Sequence, residues 1–330
     1  MSVRASIYPA TNRTAWILAQ RPPRSAPRDA WTPHAAFLER ERLASGELAD
    51  SGVVLLTNRE CPWRCVMCDL WKDMLPDPVP AGAIAHQVSG AVEGWRQSGT
   101  LPVQVKLYNS GSFFDQRAVP EADYAPVARE LAFARHVVVE SHPRLIGSRS
   151  LRWRDQLAGS LEIALGLETA EPRVLAKLNK GASLRTFERA AATLADEGIA
   201  LRAFVLLHPP FLASELGVTW AVKSAAFAFS CGASAVAIIP TRAGNGAMER
   251  LRAAGEWQPP TLADLEAAQG GALALGQGRV FADTWGLEPF ADCAECLPAR
   301  RARIEAVNHA QLDLPRVSCA RCGGERSAGP

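Results

Sequence analysis

Short apolar runs alternate with helical patterns along most of the chain. Six runs are nearly continuous in apolar character and rich in β-branched residues, at 52–57, 102–108, 136–140, 161–168, 201–207 and 234–240. Strands with both faces buried in a parallel sheet have this pattern. The segments between them predict helices over about 80–98, 122–134, 144–157, 171–178, 184–198 and 213–230. This alternation predicts an α/β domain, with either an open barrel or a doubly wound sheet.

The alternation is weaker towards both ends. In residues 1–48, which are rich in Pro and Arg, the stretch PHAAFLERERLASG predicts a helix that ends at Gly46, and the first part is expected to be mobile. Beyond 245, a helix over 261–276 and the short run RVFAD precede a cysteine-bearing tail. We therefore divide the chain into an N-terminal extension (1–48), a core (49–245) and a C-terminal extension (246–330).

Composition and charge exclude few functions. The 330 residues are 48% hydrophobic, which suffices for a sizeable core, and the net charge of +2 argues neither for nor against nucleic acid. No apolar stretch approaches the roughly 20 residues that a membrane-spanning helix needs, and the N-terminus lacks the apolar centre of a signal peptide. We therefore expect a cytoplasmic protein whose eight cysteines stay reduced and bind metal or do chemistry.

Three cysteines, Cys61, Cys65 and Cys68, crowd into one loop directly after the first predicted strand. Ligands bind at the carboxyl ends of strands in parallel α/β architectures. Three soft thiolates can ligate three corners of a 4Fe–4S cluster and leave the fourth iron open. A zinc site, which would need a fourth ligand such as His86, and a merely buried trio of thiols are the alternatives.

The segment CPWRCVMC resembles the CxxxCxΦC loop of the radical S-adenosylmethionine superfamily, with Met67 at the hydrophobic position Φ. Members more often carry an aromatic residue there, but Met can still pack against an adenine. The resemblance implies that Cys61, Cys65 and Cys68 hold a 4Fe–4S cluster whose open iron binds S-adenosylmethionine. One electron from the reduced cluster then gives methionine and a 5′-deoxyadenosyl radical, which abstracts hydrogen from a substrate.

The turn NSGS after the second strand is small and polar, so its backbone can approach a ligand closely; a plain surface turn is the alternative. The superfamily usually has a glycine-rich turn here that meets the amino group of the cofactor. The segment GLETAEPRVLAKLNKG resembles the elongator-subunit and methylthiotransferase-like branch. Glu168 would then bind amino or ribose groups; otherwise it is a solvated charge, and Lys177 and Lys180 are ordinary helix-end cations. The cofactor-binding candidates are Met67, Asn109, Ser110, Gly111, Ser112, Glu168, and, near the adenine, Pro240 and Thr241.

Together with YNSGSFFD and VLLHPPFLASE, these motifs resemble the family that includes the radical subunit of archaeosine synthase, which acts on a modified guanine base in tRNA. The resemblance covers residues 50–245 and implies a partial (βα)6 TIM-like barrel. An electron donor of flavodoxin or ferredoxin type, tRNA and a partner subunit are the expected partners. Candidates for the substrate side of the mouth are Glu140, Ser141, His208 and Arg242, although His208 can equally be structural.

The tail contains two CxxC pairs, formed by Cys293, Cys296, Cys319 and Cys322. Such pairs predict either a closed tetrahedral zinc site or an auxiliary iron–sulfur cluster. The glycines after Cys322 would let backbone amides face the sulfurs. A tail of about 40 residues buries little core, so we expect metal to supply its folding free energy and the barrel core to be separate.

Between the pairs, Arg300, Arg301 and Arg303 predict either a solvated helix face or phosphate contacts with RNA. The lone Cys231 is expected to be a buried core thiol. Two rival functions stay open. One is radical chemistry on a small metabolite or peptide, and the other is a non-catalytic nucleic-acid-binding protein with two structural zinc sites.

Overall fold

The computed structural model describes residues 6–24 and 29–322. Eight strands form one sheet in chain order, with the first pair antiparallel and every later pair parallel. Because each parallel strand is followed by its neighbour, the sheet curls into a half-barrel. The strands are β1 (Ala35–Arg42), β2 (Leu48–Leu55), β3 (Gln104–Tyr108), β4 (His136–Ser141), β5 (Ser160–Glu168), β6 (Ala200–Leu207), β7 (Ala235–Pro240) and β8 (Arg279–Ala282).

Helices connect the strands and cover the outer face of the sheet. None of those in the described ranges is long and apolar enough to cross a membrane. They are α1 (Arg13–Gln20), α2 (Ala83–Gln97), α3 (Tyr124–Glu130), α4 (Ser148–Arg154), α5 (Pro172–Lys177), α6 (Leu184–Asp196), α7 (Gly217–Ser230), α8 (Ala247–Ala253), α9 (Leu262–Leu273) and α10 (Leu297–Ala310).

The prediction of a partial (βα)6 TIM-like barrel is confirmed, and the sheet carries one further strand at each edge. The six predicted runs form β2 to β7, and the short run near 280 forms β8. Outward side chains such as Val105, Leu107 and Val139 are fully buried against the helices. The predicted helices over 122–134 and 144–157 are shorter than expected, since each ends in a turn.

The helix predicted over 33–46 is wrong, because this segment forms β1 and the turn into β2. Phe37, Glu39 and Glu41 are more buried than the residues between them, which is the two-residue period of a strand. Gly46 has φ +84° in the turn, a conformation that favours glycine. Pairing along all of β1 with β2 therefore outweighs the helix propensity of its Ala, Leu, Glu and Arg residues.

The interior of the half-barrel is charged. Glu41 accepts hydrogen bonds from Lys106 and from Arg202, the latter over 2.6 Å. Glu162 pairs with Arg202 over 2.5 Å and with Arg279 over 2.8 Å. These groups come from five different strands. Every buried charge in the network has an opposite charge beside it, which offsets the cost of burial. Because the partners belong to different strands, the network connects β1 to strands on the far side of the barrel.

The gap between the two edge strands is closed by α10, which contacts both β1 and β8. Arg42 Nε donates to the carbonyl of His309 over 2.6 Å, and the Asn308 side chain bonds both the amide and the carbonyl of Ala282. Ile304 belongs to the same hydrophobic core as the barrel strands. The expectation that the tail and the barrel have separate cores is therefore wrong.

Candidate functional site

The three-cysteine loop lies beyond the end of β2, at the carboxyl edge of the parallel strands. The amide of Val66 donates to the carbonyl of Leu178 over 3.0 Å, and Asn245 Nδ2 donates to the carbonyl of Val66 over 2.7 Å. The indole of Trp63 stacks on the imidazole of His142, with 3.6 Å between centroids and 8° between planes. The loop is thus packed onto the segments that follow β4, β5 and β7.

Burial raises the pKa of all three thiols in this loop. The pKa of Cys65 rises to about 12, and those of Cys61 and Cys68 are also raised. Such thiols are weak nucleophiles, because the thiolate is the reactive form. A bound metal reverses this, since it deprotonates a coordinating thiol. As free thiols, these cysteines therefore do not suit nucleophilic catalysis, and their role as metal ligands stays a prediction.

A single metal ion and a 4Fe–4S cluster require different arrangements of thiols. Among the described residues, the tail cysteines are the group whose metal-binding atoms all lie within 4.8 Å of one another. A single tetrahedral ion with bonds of about 2.3 Å brings its sulfurs to about 3.8 Å from each other. Each thiolate of a 4Fe–4S cube instead binds its own iron. The three thiols of the loop therefore suit three corners of a cluster, whereas the four tail thiols suit a single ion.

The NSGS turn touches the cysteine loop. A Cβ added at Gly111 would stand 3.1 Å from the Cβ of Cys61, so glycine permits this close approach. The carboxylate of Glu140 accepts hydrogen bonds from the amides of Asn109 and, over 3.4 Å, Gly111. Ser110 has φ +55°. Glu140, predicted on the substrate side, thus stabilises the turn by accepting hydrogen bonds from its backbone.

Asn109 is an unsatisfied group at this place. Its side chain is fully buried, and neither its oxygen nor its nitrogen has a hydrogen-bond partner. Buried amides in native proteins normally have partners, so an unpaired one needs an explanation such as a missing ligand. The Ser112 and Ser141 hydroxyls, in contrast, bond each other over 2.9 Å. Asn109 therefore fits a ligand-binding role, whereas these two serines satisfy one another.

Glu168 ends β5 with φ +67° and forms a buried ion pair with Lys180, whose Nζ lies 2.7 Å from Glu168 Oε1. The ammonium of Lys180 counteracts the effect of burial on the pKa of both Cys61 and Cys65, which places it beside the loop. Glu168 is therefore at the predicted end of its strand and is not a solvated charge. The sequence reasoning assigned Lys180 to an ordinary helix end and missed it as a site residue.

The remaining cofactor candidates lie around the same loop. Pro240 ends β7, and the hydroxyl of the next residue, Thr241, is buried without a partner. Met67 is half-buried and packs against a second apolar cluster, to which α1 and α8 contribute. Adenine contact by these three residues stays a prediction.

Two of the substrate candidates have other partners. The ring of His208 lies against Gly217, where a Cβ would be 1.9 Å from it, and His208 Nε2 is 3.7 Å from Asp264. His208 therefore packs between the first turns of α7 and α9, and its role on the substrate side stays a prediction. Arg242 pairs with Asp283 over 2.9 Å and donates to the carbonyl of Trp285, so it braces the loop after β8.

A cavity of about 620 Å³ lies inside the half-barrel, in the size range of small-molecule sites. Lys106 and Arg202 line it, with their charges already matched by carboxylates, and Glu305 and His309 of α10 form part of its wall. Tyr108 lines the cavity and directly precedes the NSGS turn, so the cavity adjoins the site at the cysteine loop. Five aromatic side chains line it, namely Phe37, Tyr108, Phe204, Phe281 and Trp285. No motif pointed to this cavity, because its lining is spread over six strands and α10.

The tail cysteines form a second site at the start of α10. Cys296 directly precedes the helix, and its Sγ lies 3.9 Å from that of Cys322. The amides of Cys322 and Arg321 lower the pKa of Cys319 to about 7, which favours a metal-binding thiolate. The glycines predicted to shape this turn, Gly323 and Gly324, lie outside the described residues.

The three arginines predicted to form either a solvated helix face or phosphate contacts all pair with carboxylates. Arg303 is 6% exposed and pairs with Asp313 over 2.6 Å and with Glu266. Arg300 also pairs with Glu266 over 2.6 Å, and Arg301 binds a surface carboxylate. Because Arg300 and Arg303 face inward, neither phosphate contact nor a solvated face describes them. Cys231 is half-buried and packs on the main core.

No protein-family model matches the chain. It is 25% identical over 247 residues to an uncharacterised protein of Methanocaldococcus jannaschii, which covers 71% of this chain and 68% of that protein. Archaeosine synthase subunit beta of Methanosarcina acetivorans is 25% identical over 61% of the chain, and that of Thermococcus kodakarensis is 30% identical over 43%. The chain spans 59% and 45% of the length of these two named relatives.

Two solved structures resemble the chain in fold. A radical SAM methyltransferase from Sphaerobacter thermophilus has a TM-score of 0.53 at 14% identity. The likeness covers 84% of this chain and 82% of the methyltransferase. Elp3 of Methanocaldococcus infernus has a TM-score of 0.51 at 12% identity, over 67% of this chain and 58% of its own. The likeness at such identities concerns the fold. The chain therefore has the fold of radical S-adenosylmethionine enzymes, and its relatives in sequence include proteins named archaeosine synthase subunit beta.

Proposed function

We propose that this protein is a radical S-adenosylmethionine enzyme. The observation that carries the proposal is the packing of the Cys61, Cys65 and Cys68 loop against the NSGS turn at the mouth of a half-barrel of this fold. The cluster and the cofactor would together supply a 5′-deoxyadenosyl radical that abstracts hydrogen from the substrate. The chain's own residues bind and orient these groups and keep water out.

The residues at the mouth fit both groups. Three enclosed thiols in one loop suit three corners of a 4Fe–4S cluster. The unpaired side chains of Asn109 and Thr241 and the close turn at Gly111 suit a polar cofactor beside it. We assign the cluster to the three cysteines, and the cofactor to Asn109 and Ser110 with Gly111, Pro240 and Thr241 around it.

The substrate would enter the cavity below this turn. The relatives named archaeosine synthase subunit beta favour a modified base of tRNA. A small free metabolite is the second candidate, because the cavity is the size of a small-molecule site. Tight binding of tRNA at low salt would favour the first, and its absence would favour the second. The word subunit in those names also favours a partner chain, and the electron would come from a flavodoxin- or ferredoxin-type donor.

The test is reductive cleavage of S-adenosylmethionine by protein purified without oxygen. We expect the wild type to be brown, to contain iron and to form 5′-deoxyadenosine once reduced. Replacing Cys61, Cys65 and Cys68 by Ala should abolish all three properties, because the cluster ligands are gone. Cys231→Ala is the matched control and should change none of them. Undiminished 5′-deoxyadenosine from the triple variant would refute the proposal.

We further propose that the tail cysteines bind one zinc ion rather than an auxiliary cluster. Their sulfurs lie within 4.8 Å of one another, as around a single tetrahedral ion. The triple variant without the first cluster should then contain about one zinc per chain and little iron. Substantial iron with visible absorbance in that variant would make the second site an iron–sulfur cluster.

A further inference from the structure

Lys180 is a buried cation with unused hydrogen-bonding capacity. Lys180 and Glu168 are each 8% exposed. An ammonium group has three donors, and Glu168 Oε1 is the single acceptor that the described residues provide for Nζ. An ammonium group removed from water normally has every donor satisfied, because desolvating a charge is costly. The two remaining donors therefore point to a group that binds beside it.

The position of Lys180 is closely determined. A Cβ at Gly166 would stand 2.6 Å from Lys180 Nζ and 2.4 Å from Glu168 Oε1, so the ion pair lies directly against the backbone of β5. The neighbours of Lys180 both have positive φ, +58° at Asn179 and +73° at Gly181. The carbonyl of Lys180 accepts a hydrogen bond from His142 over 3.0 Å. The chain thus turns sharply on both sides of this residue and fixes where its side chain begins.

The residues on both sides of Lys180 contact the cysteine loop. Asn179 Nδ2 donates to the carbonyl of Arg64 over 2.8 Å. A Cβ at Gly181 would stand 2.9 Å from the indole of Trp63. Three thiolates added to the carboxylate that pairs with Lys180 would leave a large negative charge in an enclosed site. A cation at this position offsets part of that charge.

We infer that Lys180 is a positioning residue for the cluster, which its ammonium stabilises by charge and by its two free N–H donors, while Glu168 holds it in place. This inference rests on the proposed function. Hydrogen bonds and charges near an iron–sulfur cluster set its reduction potential. A positive charge favours the reduced cluster, which has one more electron, so Lys180 makes the cluster easier to reduce.

The experiment compares two variants with opposite effects on charge. Lys180→Met removes the cation and its donors, and Glu168→Gln removes the anion but keeps an acceptor for Lys180. The midpoint potential of the cluster is measured by redox titration monitored by electron paramagnetic resonance, with iron content and thermal unfolding recorded in parallel. We expect a lower potential in Lys180→Met and a higher one in Glu168→Gln. Lys177→Met is the control, because its ammonium lies over the ring of Phe211 instead and should leave the potential unchanged.

A merely structural ion pair would give a different result. Its loss should move both potentials in the same direction or in neither, and either result would overturn the inference. If Lys180→Met takes up no iron, Glu168→Gln decides alone: a higher potential supports the inference, and an unchanged or lower one overturns it. A wild-type protein that takes up no iron refutes the proposed function instead, before any variants are compared.

Discussion

At the scale of single residues, His142 is a neutral imidazole beneath the cysteine loop. Its Nδ1 accepts a hydrogen bond from the amide of Arg144 over 3.2 Å, which leaves Nε2 to donate to the carbonyl of Lys180 over 3.0 Å. Burial lowers the pKa of His142 to about 3. Protonation would turn Nδ1 into a donor that faces the Arg144 amide, which is also a donor. It would also add a positive charge beside Lys180, so the ring stays neutral in the folded protein.

The stability of the protein should therefore fall in mild acid. The unfolded chain binds a proton at His142 below about pH 6.5, whereas the folded chain does so only near pH 3. Stability is complete above pH 6.5 and is lost as the pH falls towards 3, by about 2 kcal/mol at pH 5 from this residue. Urea unfolding at pH 7 and pH 5 measures it. His142→Phe should lose less stability over this interval than the wild type; an equal loss would contradict this account.

Asn109 should limit the stability of the ligand-free protein. Replacing its unpaired buried amide with an apolar group of similar shape removes a desolvation penalty of about 1–3 kcal/mol. Asn109→Leu should thus raise the free energy of unfolding without ligand while weakening S-adenosylmethionine binding measured by calorimetry. Asn245→Leu is the contrast, because Asn245 bonds Val66, Cys68 and Met248 and should lose stability when replaced. Unchanged cofactor affinity in Asn109→Leu would exclude its binding role.

At the scale of elements, α10 is part of the barrel and is bounded by the tail cysteines. Cys293 and Cys296 precede it and Cys319 and Cys322 follow it, so one metal ion would close a loop around the helix. Closing a loop lowers the entropy of the unfolded segment. The ion would therefore fix the helix that covers the gap between β1 and β8.

Loss of the ion should loosen more than the tail. We expect Cys319→Ser to increase amide hydrogen exchange in α10 and at the adjoining edges of β1 and β8, since hydrogen bonds such as Arg42 to His309 join them. Exchange in β4 and β5, on the far side of the barrel, serves as the internal control. Faster exchange confined to 311–322 would show that the site stabilises the tail alone.

The sequence predicted those elements in which the pattern of apolar residues agrees with the burial that the fold imposes. Strands β2 to β7 were recognisable because helices bury one of their faces and the enclosed barrel covers the other. Strand β1 was not recognisable, because a glutamate such as Glu41 is typical of an exposed helix. Its burial in a strand depends on pairing with Lys106 and Arg202, which belong to other strands. Lys180 was not identified as a site residue for the same reason, because its partners, Glu168 and the cysteine loop, are distant in sequence. The prediction of a metal site at the three-cysteine loop needed no such partners, because it rests on the spacing of the cysteines alone.

At the scale of the whole molecule, Arg202 joins opposite sides of the half-barrel. It pairs with Glu41 of β1 and with Glu162 of β5, and its side chain is 3% exposed. Arg202→Met would leave both carboxylates short of a partner, and breaking a buried pair this way costs about 3–5 kcal/mol. Arg135→Met is the control, since its exposed pair with Glu47 contributes at most about 1 kcal/mol. Similar losses in the two variants, measured by urea unfolding, would contradict a role for the inner network in closing the barrel.

The dimensions of the inner cavity restrict how a large substrate could react. A volume of about 620 Å³ accommodates one nucleoside-sized group but not a paired stem of RNA. A polynucleotide would have to turn the reacting base out of its stack, which costs a few kcal/mol for a paired base and least for one already unpaired. If the substrate is a base of tRNA, as proposed, the shape of this protein would therefore favour bases in loops over bases in helices, before any contact with the base itself is made.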